Sequence, residues 1–358
     1  MYRERIADDV YVFTSALYAQ VTAGAVITPE GAVVIDTLPF PSETRQILDF
    51  LSQRSPAGIR YLILTHYHAD HTLGASLFRG VPVISHAVCR DLLAERGVSA
   101  LASAREQNPE LAEVSLRLPD IVFDGGELTV RLGGKLIALT HLPGHSPDGV
   151  AAYIKDDKIL FASDAVTPVP IIVDGDPRQL IDSLRRIKSF GLENIVQGHG
   201  ELILRGEINE SINSNVNYLN RILGLVAGLI RDGHPRNAVR DHGIESCGKS
   251  RIPLHGLVQQ FHLANLYSLH DRMRTDSDLY KVGLRLLAER EVSKAELGKS
   301  IPAPAASRKP AALAPTKRRK LPAAARSKKK PAVALPPKSG QAVARSRKAR
   351  PAARARAR

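Results

Sequence analysis

Four side chains able to hold a metal ion fall within six positions of this chain, in Thr65-His66-Tyr67-His68-Ala69-Asp70-His71. Residues two apart in an extended segment point the same way, so His66 and His68 can grip one ion together. Asp70 and His71 follow where the chain turns into a helix, and they can reach a neighbouring ion. Imidazole and carboxylate are donors that zinc accepts in a hydrolytic site, where one coordination position stays open for water. A local cluster seldom completes a metal site alone, and three partners lie downstream. His145 sits in Leu142-Pro143-Gly144-His145-Ser146-Pro147, Asp164 ends Ile159-Leu160-Phe161-Ala162-Ser163-Asp164, and His199 lies in Gln197-Gly198-His199-Gly200.

Each partner stands just beyond a segment that reads as a strand, and strand ends meeting at one edge are where an α/β fold assembles a site. Residues 10–14 and 25–28 predict strands, the second turning at Pro29-Glu30-Gly31 into 32–36, which is a hairpin signal. Residues 42–54 predict a helix, with Ser42 as N-cap and Ile47, Leu48 and Leu51 on one face. A buried strand at 59–65 leads into the histidine-rich turn, followed by a helix from about Thr72 and a short strand at 81–85. Residues 87–117 read as mostly helical. Strands return at 128–132, 135–140, 150–154 and 158–163, then a helix at 180–190 and a last strand at 194–197. From 210 to 296 the pattern is helical, with Ile212, Val216, Leu219, Leu223, Val226 and Ile230 spaced by three or four.

Taken together, these motifs resemble the metallo-β-lactamase superfamily over roughly residues 10 to 205. The match rests on His66-x-His68-x-Asp70-His71, the Gly144-His145 turn, Asp164 after an apolar strand, and Gly198-His199-Gly200, in that order. The resemblance implies an α/β fold, a four-layer αββα sandwich with the site at one edge of two sheets. It implies that His66, His68 and His145 hold a first metal, that Asp70, His71 and His199 hold a second, and that Asp164 bridges them. Asp36, closing Val33-Val34-Ile35-Asp36, matches an acid of the family that orients a ligand by hydrogen bonding; a turn or cap role for Asp36 weighs equally. The expected cofactor is zinc, two per chain, with iron and manganese left open. The expected chemistry is hydrolysis by a metal-bridging hydroxide, with Asp70 as the catalytic carboxylate that orients the nucleophile and shuttles a proton.

An aspartate at 164, where lactamases of the family often carry cysteine, turns the expectation toward the thioesterase, lactonase and phosphoesterase branches. The Pro143-Gly144-His145-Ser146 stretch looks like glyoxalase II, and Gly144-His145-Ser146-Pro147-Asp148-Gly149 looks nearer to quinoprotein-relay hydrolases. The expected substrate is a small ester, thioester or lactone. The alternatives are a nuclease or phosphodiesterase on the same fold, a mononuclear-iron persulfide dioxygenase, and a nucleic-acid-associated binding protein without catalysis.

Charge divides the chain. Of 50 Lys+Arg and 36 Asp+Glu, residues 301–358 hold 18 basic and no acidic side chains, leaving 32 basic against 36 acidic, a net of −4, in residues 1–300. The tail also has 9 prolines, 18 alanines and no aromatic residue, a composition that cannot bury enough apolar surface to fold. The expected organisation is a catalytic domain at 1–208, a helical extension at 209–298, and a disordered basic tail at 299–358. Such a tail favours nonspecific, salt-sensitive binding of nucleic acid or another polyanion.

Two cysteines, Cys89 and Cys247, exclude a disulfide framework or a cysteine-rich zinc module. No window approaches the roughly 18 to 20 apolar residues of a membrane span, and the charged start reads as no signal peptide, so a cytoplasmic protein without membrane contact is expected. The stripe from Ile212 to Ile230 would suit a homodimer. His141 reads as a strand-end histidine with a polar partner. His255 and His262, seven apart, read as packing or exposed residues rather than substrate contacts. Tyr67 reads equally as a substrate contact and as packing over the metal loop.

Overall fold

The computed structural model describes residues 1–300, which fall within one compact unit. The basic tail assigned from residue 299 lies, from 301 onward, outside the described residues. The first half of the chain runs β1 (Tyr2–Ala7), β2 (Val10–Thr14), β3 (Thr22–Thr28), β4 (Gly31–Ile35), α1 (Pro41–Arg54), β5 (Ile59–Ile63), α2 (Ala69–Thr72), β6 (Val83–His86), α3 (Ala87–Gln107) and β7 (Ile121–Phe123). Its seven strands form one sheet in sequence order, antiparallel through β4 and parallel from β4 to β7. Parallel neighbours need crossovers, and α1, α2 and α3 lie in those three connections.

The second half runs β8 (Glu127–Leu132), β9 (Lys135–His141), β10 (Val150–Ile154), β11 (Ile159–Ser163), α4 (Pro177–Ile187), β12 (Asn194–Gln197) and β13 (Ile203–Leu204). These six strands form a second sheet in the order β13-β12-β11-β10-β9-β8, with β11 and β12 its parallel pair. Three helices follow, α5 (Ile208–Arg231), α6 (Val258–Met273) and α7 (Ser277–Ser300).

The alternation of β residues explains the layering. Val10, Val12, Val33 and Ile35 of the first sheet meet Ile137, Leu139, Ile154 and Phe161 of the second in one buried cluster, so the sheets pack face to face. The opposite face of the first sheet buries Tyr11, Phe13, Ala25 and Leu62 against Ile47 and Leu51 of α1 and Cys89 and Leu93 of α3. The opposite face of the second sheet buries Ala151, Leu160 and Ile195 against Leu180 and Leu184 of α4 and against α5 and α6. Each large apolar side chain withdrawn this way contributes about 1.5–3 kcal/mol. The result is the αββα sandwich the motifs imply.

Several local readings change. The first helix begins one residue before Ser42, at Pro41, and has no side-chain cap; the Ser42 N–H is taken by Glu110 Oε1 at 2.6 Å. The helix expected from Thr72 is a single turn, Ala69–Thr72, continued by a 3₁₀ segment. Helix α3 stops at Gln107 because Pro109 follows, and Asn108 caps the next turn by accepting from the Glu110 N–H. Strand β1 carries no apolar run, and its register is set by pairing with β2. The stripe on α5 is internal: Ile212, Leu219, Leu223 and Val226 lie in the core shared with the second sheet, α4 and α6. Its apolarity is therefore largely satisfied within this chain, with Val216 and Ile230 only partly buried. Among the described residues no helix is long and apolar enough to cross a membrane.

Candidate metal centre

The sequence-predicted residues converge where the ends of the two sheets meet. The Thr65 carbonyl accepts from Val150 N–H at 2.8 Å, and Thr22 N–H donates to the Gly198 carbonyl at 2.9 Å, so each sheet is tied to the other at this edge. His66, His68, His145 and Asp164 present one donor atom each within 4.8 Å of one another. Asp70, His71 and His199 form a second group on the same criterion. Asp164 lies between them, with Oδ2 3.3 Å from His145 Nε2 and 3.4 Å from His199 Nε2, and Oδ1 3.3 Å from His71 Nε2.

Two backbone features bring Asp164 there. Ser163 takes φ +46°, which turns the chain sharply at the end of β11. Gly198 passes so close that a Cβ on it would stand 1.7 Å from Asp164 Oδ1, and only glycine allows that approach. Gly144, at φ +135°, lets the loop before His145 press against Leu180 at the start of α4.

The outer nitrogen of nearly every histidine is tied down, which fixes the inner one. His145 Nδ1–H donates to the Ile171 carbonyl at 2.9 Å, and His199 Nδ1–H donates to the Ala19 carbonyl at 3.0 Å. His71 Nδ1–H donates to Asp36 Oδ2 at 3.0 Å, while Asp36 also accepts from Thr65 N–H and Thr65 Oγ1–H at 2.7 and 2.6 Å. Asp36 is thus fully engaged in orienting His71 and the Thr65 backbone, although it lies near His66 and His71 as well. Bound this way, each ring directs a lone pair inward.

The inward atoms face chiefly one another. His68 Nδ1 lies 3.1 Å from His66 Nε2 and 2.9 Å from His145 Nε2, three imidazole nitrogens crowded at one point. His71 Nε2 and Asp164 Oδ1 are buried without a hydrogen bond, close to each other but misaligned. Burial and neighbouring imidazoles hold His66 well below the ordinary histidine value, and burial carries His145 down to about 4. Burial opposes charge on His71 too, yet Asp164 and Asp70 carry it well above its ordinary value. Convergent imidazoles around buried carboxylates are what a divalent cation satisfies, so these residues fit a metal.

Some contributors carried no sequence signal. Asp174, in the loop after Asp164, has Oδ2 3.5 Å from His68 Nε2, on the side of that ring away from the cluster. It also accepts from the Tyr67 hydroxyl, and Arg96 Nη1 lies 3.3 Å from its Oδ1. Burial raises Asp174, but its bonds to His68 and Tyr67 outweigh that and hold it at about 2. Burial and the Asp174 bond push the Tyr67 phenol up to about 12, so it stays a neutral donor. Tyr67 is thereby a rim residue packed under Arg96, whose guanidinium stands 5.7 Å from its ring centre.

The loop bearing Ile171 and Asp174 is clamped from the helical extension. Asn265 on α6 accepts from Ile172 N–H at 2.9 Å and donates to the Pro170 carbonyl at 2.7 Å, and Arg272 donates to the Gly175 carbonyl at 2.5 Å. The other candidates are peripheral. His141 donates to the Pro147 carbonyl and stacks on His86 at 4.1 Å. His262 is buried between Tyr218 and the His242 carbonyl, whereas His255 is exposed beside a pocket that also includes Tyr18 and Gly200. Cys89 and Cys247 are free thiols, both pushed up by burial.

A two-sheet sandwich with this histidine and aspartate edge defines a class, and sequence comparison agrees with it. The profile described as the Metallo-beta-lactamase superfamily matches residues 18–199. The chain belongs to that superfamily of metal-binding hydrolase folds. A lactamase-like protein of Pestalotiopsis microspora is 25% identical over 199 residues, covering 55% of each chain. The atrochrysone carboxyl ACP thioesterase of Aspergillus fumigatus is 26% identical over 172 residues, 48% of each chain. The inverting sec-alkylsulfatase Pisa1 of a Pseudomonas species superimposes with a TM-score of 0.59 at 15% identity, covering 75% of this chain and 50% of that one, a likeness of fold. The chain spans about half the length of the curated relatives it matches.

Proposed function

We propose that this protein is a dinuclear metallohydrolase, most simply a zinc enzyme, acting on a small ester, thioester or lactone. The observation that carries the reading is the pair of donor groups with Asp164 between them, with outer nitrogens tied and His71 Nε2 and Asp164 Oδ1 buried without a hydrogen bond. His66, His68 and His145 would hold one ion, Asp70, His71 and His199 the other, and Asp164 both. When bound, the metals supply Lewis-acid polarisation of the scissile group and acidify water enough to attack at neutral pH. Asp36 orients His71, and Asp174 orients His68. Asp70, whose side chain keeps 22% of its surface exposed at the edge of the cluster, orients the attacking water and carries its proton to the leaving group. The aspartate at 164 and the thioesterase among the relatives favour acyl substrates over β-lactams.

Elemental analysis of the purified protein beside an Asp164→Ala variant tests this, with ester, thioester and phosphodiester turnover measured on both. The expected result is about two zinc per chain and acyl-ester hydrolysis, both falling steeply in the variant. Absence of tightly held metal overturns the reading. One iron per chain would point to oxidative sulfur chemistry, and turnover of phosphodiesters alone to a nuclease.

A further inference from the structure

A groove of about 560 Å³ opens directly beside the cluster, between the 3₁₀ turn after α2 and helix α3. Tyr67 and His68 are part of its wall, so it adjoins the donor cluster at the His68 ring, on the side where Asp174, Tyr67 and Arg96 meet. Its floor is Leu73, Leu93, Leu101 and Leu116, and its outer rim is the exposed face of α3 at Ala100 and Ser103. The two cations at its mouth are already neutralised, Arg96 by Asp174 at 3.3 Å and Arg117 by Asp120 at 2.6 Å. The groove thus offers apolar surface and little free charge. A second pocket, of about 380 Å³, has a mixed wall instead, with Glu4, Glu201 and His255 beside Leu17 and Tyr18.

Volumes in this range are those of small-molecule sites, and apolar lining is what selects an apolar ligand. From the continuity of this groove with His68, we infer that it binds the apolar acyl arm of the substrate, an alkyl chain several carbons long, so that the enzyme prefers medium-chain acyl esters or thioesters over acetyl ones. The inference rests on the proposed hydrolase activity for its chemistry but not for its binding site. A partner protein or an anionic ligand is disfavoured, because the groove is small-molecule sized and its cations are paired.

The test compares p-nitrophenyl acetate, butyrate and octanoate as substrates of the metal-loaded protein, with calorimetric titration of octanoate as a readout independent of turnover. The expected kcat/KM rises by roughly fourfold per methylene over the part of the chain that is covered. Ala100→Trp and Ser103→Trp fill the groove from its solvent side, where folding is not at risk. Each should lower the octanoate-to-acetate ratio at least tenfold and weaken octanoate binding. Val98→Trp, on an exposed neighbouring position outside the groove, should leave that ratio intact. Acetate turnover with no chain-length preference, or a ratio indifferent to both groove variants, overturns the inference while sparing the hydrolase. No ester turnover, but octanoate binding that Ala100→Trp weakens, keeps the groove and overturns the hydrolase. Neither turnover nor binding overturns both.

Discussion

Asp174 is the residue whose replacement separates holding a metal from doing chemistry with it. Its carboxylate touches His68 on the side away from the cluster and also takes the Tyr67 hydroxyl. Asp174→Asn keeps the shape and removes the charge, so metal affinity should fall by about 10- to 100-fold, read by competition with a chromogenic chelator, with the fold unchanged by circular dichroism. An affinity within twofold of the parent would show that His68 needs no such partner. His66, His68, Asp70, His71, His145, Asp164 and His199 could be picked out as candidates because their types are metal donors and their positions follow apolar runs that read as strands. Asp174 was not legible. It lies in a turn, Val173-Asp174-Gly175-Asp176, with no periodicity, and its partner stands over a hundred positions away, so only tertiary packing selects it.

At the scale of elements, the strands that end in candidate ligands were readable as short apolar runs bounded by turn residues. The small edge strands and helix starts were not, because their register comes from neighbours rather than from their own pattern. Strand β1 is the example, mostly exposed and held by β2. Helix α6 shows how far the site reaches. Asn265 is fully buried and closes both a donor and an acceptor of the loop that carries Ile171 and Asp174. Asn265→Ala leaves those groups unpaired at a cost of about 1–3 kcal/mol. The expected outcome is a thermal midpoint lower by several degrees together with weaker metal binding, measured by calorimetry and chelator competition. Loss of stability with full metal affinity would mean that the loop holds its shape without the clamp.

For the whole molecule, the contrast is between a slightly acidic body and 18 unrelieved positive charges after residue 300. That contrast was plain in composition, whereas substrate preference was not, because pocket walls come from residues distant in sequence. We propose that the tail binds polyanions without base readout. Protein ending at residue 300 should keep kcat and KM on esters within about twofold, because the ligands, the clamp and the groove all precede that point, and it should elute from heparin at far lower salt. Persistent heparin retention would place the polyanion surface on the body.

The reach of α6 bears on how this protein could be divided or recombined. The segment matching the family profile ends at residue 199, yet the loop behind two of the metal-facing histidines is fastened by side chains some 65 to 75 positions later. A chimera built at the profile boundary would inherit every donor atom and lose the fastening. It would be expected to assemble the sandwich with a loose, weakly metallated edge. A cassette meant to carry the donor cluster intact has to extend through α6, because the fastening of its loop comes from there.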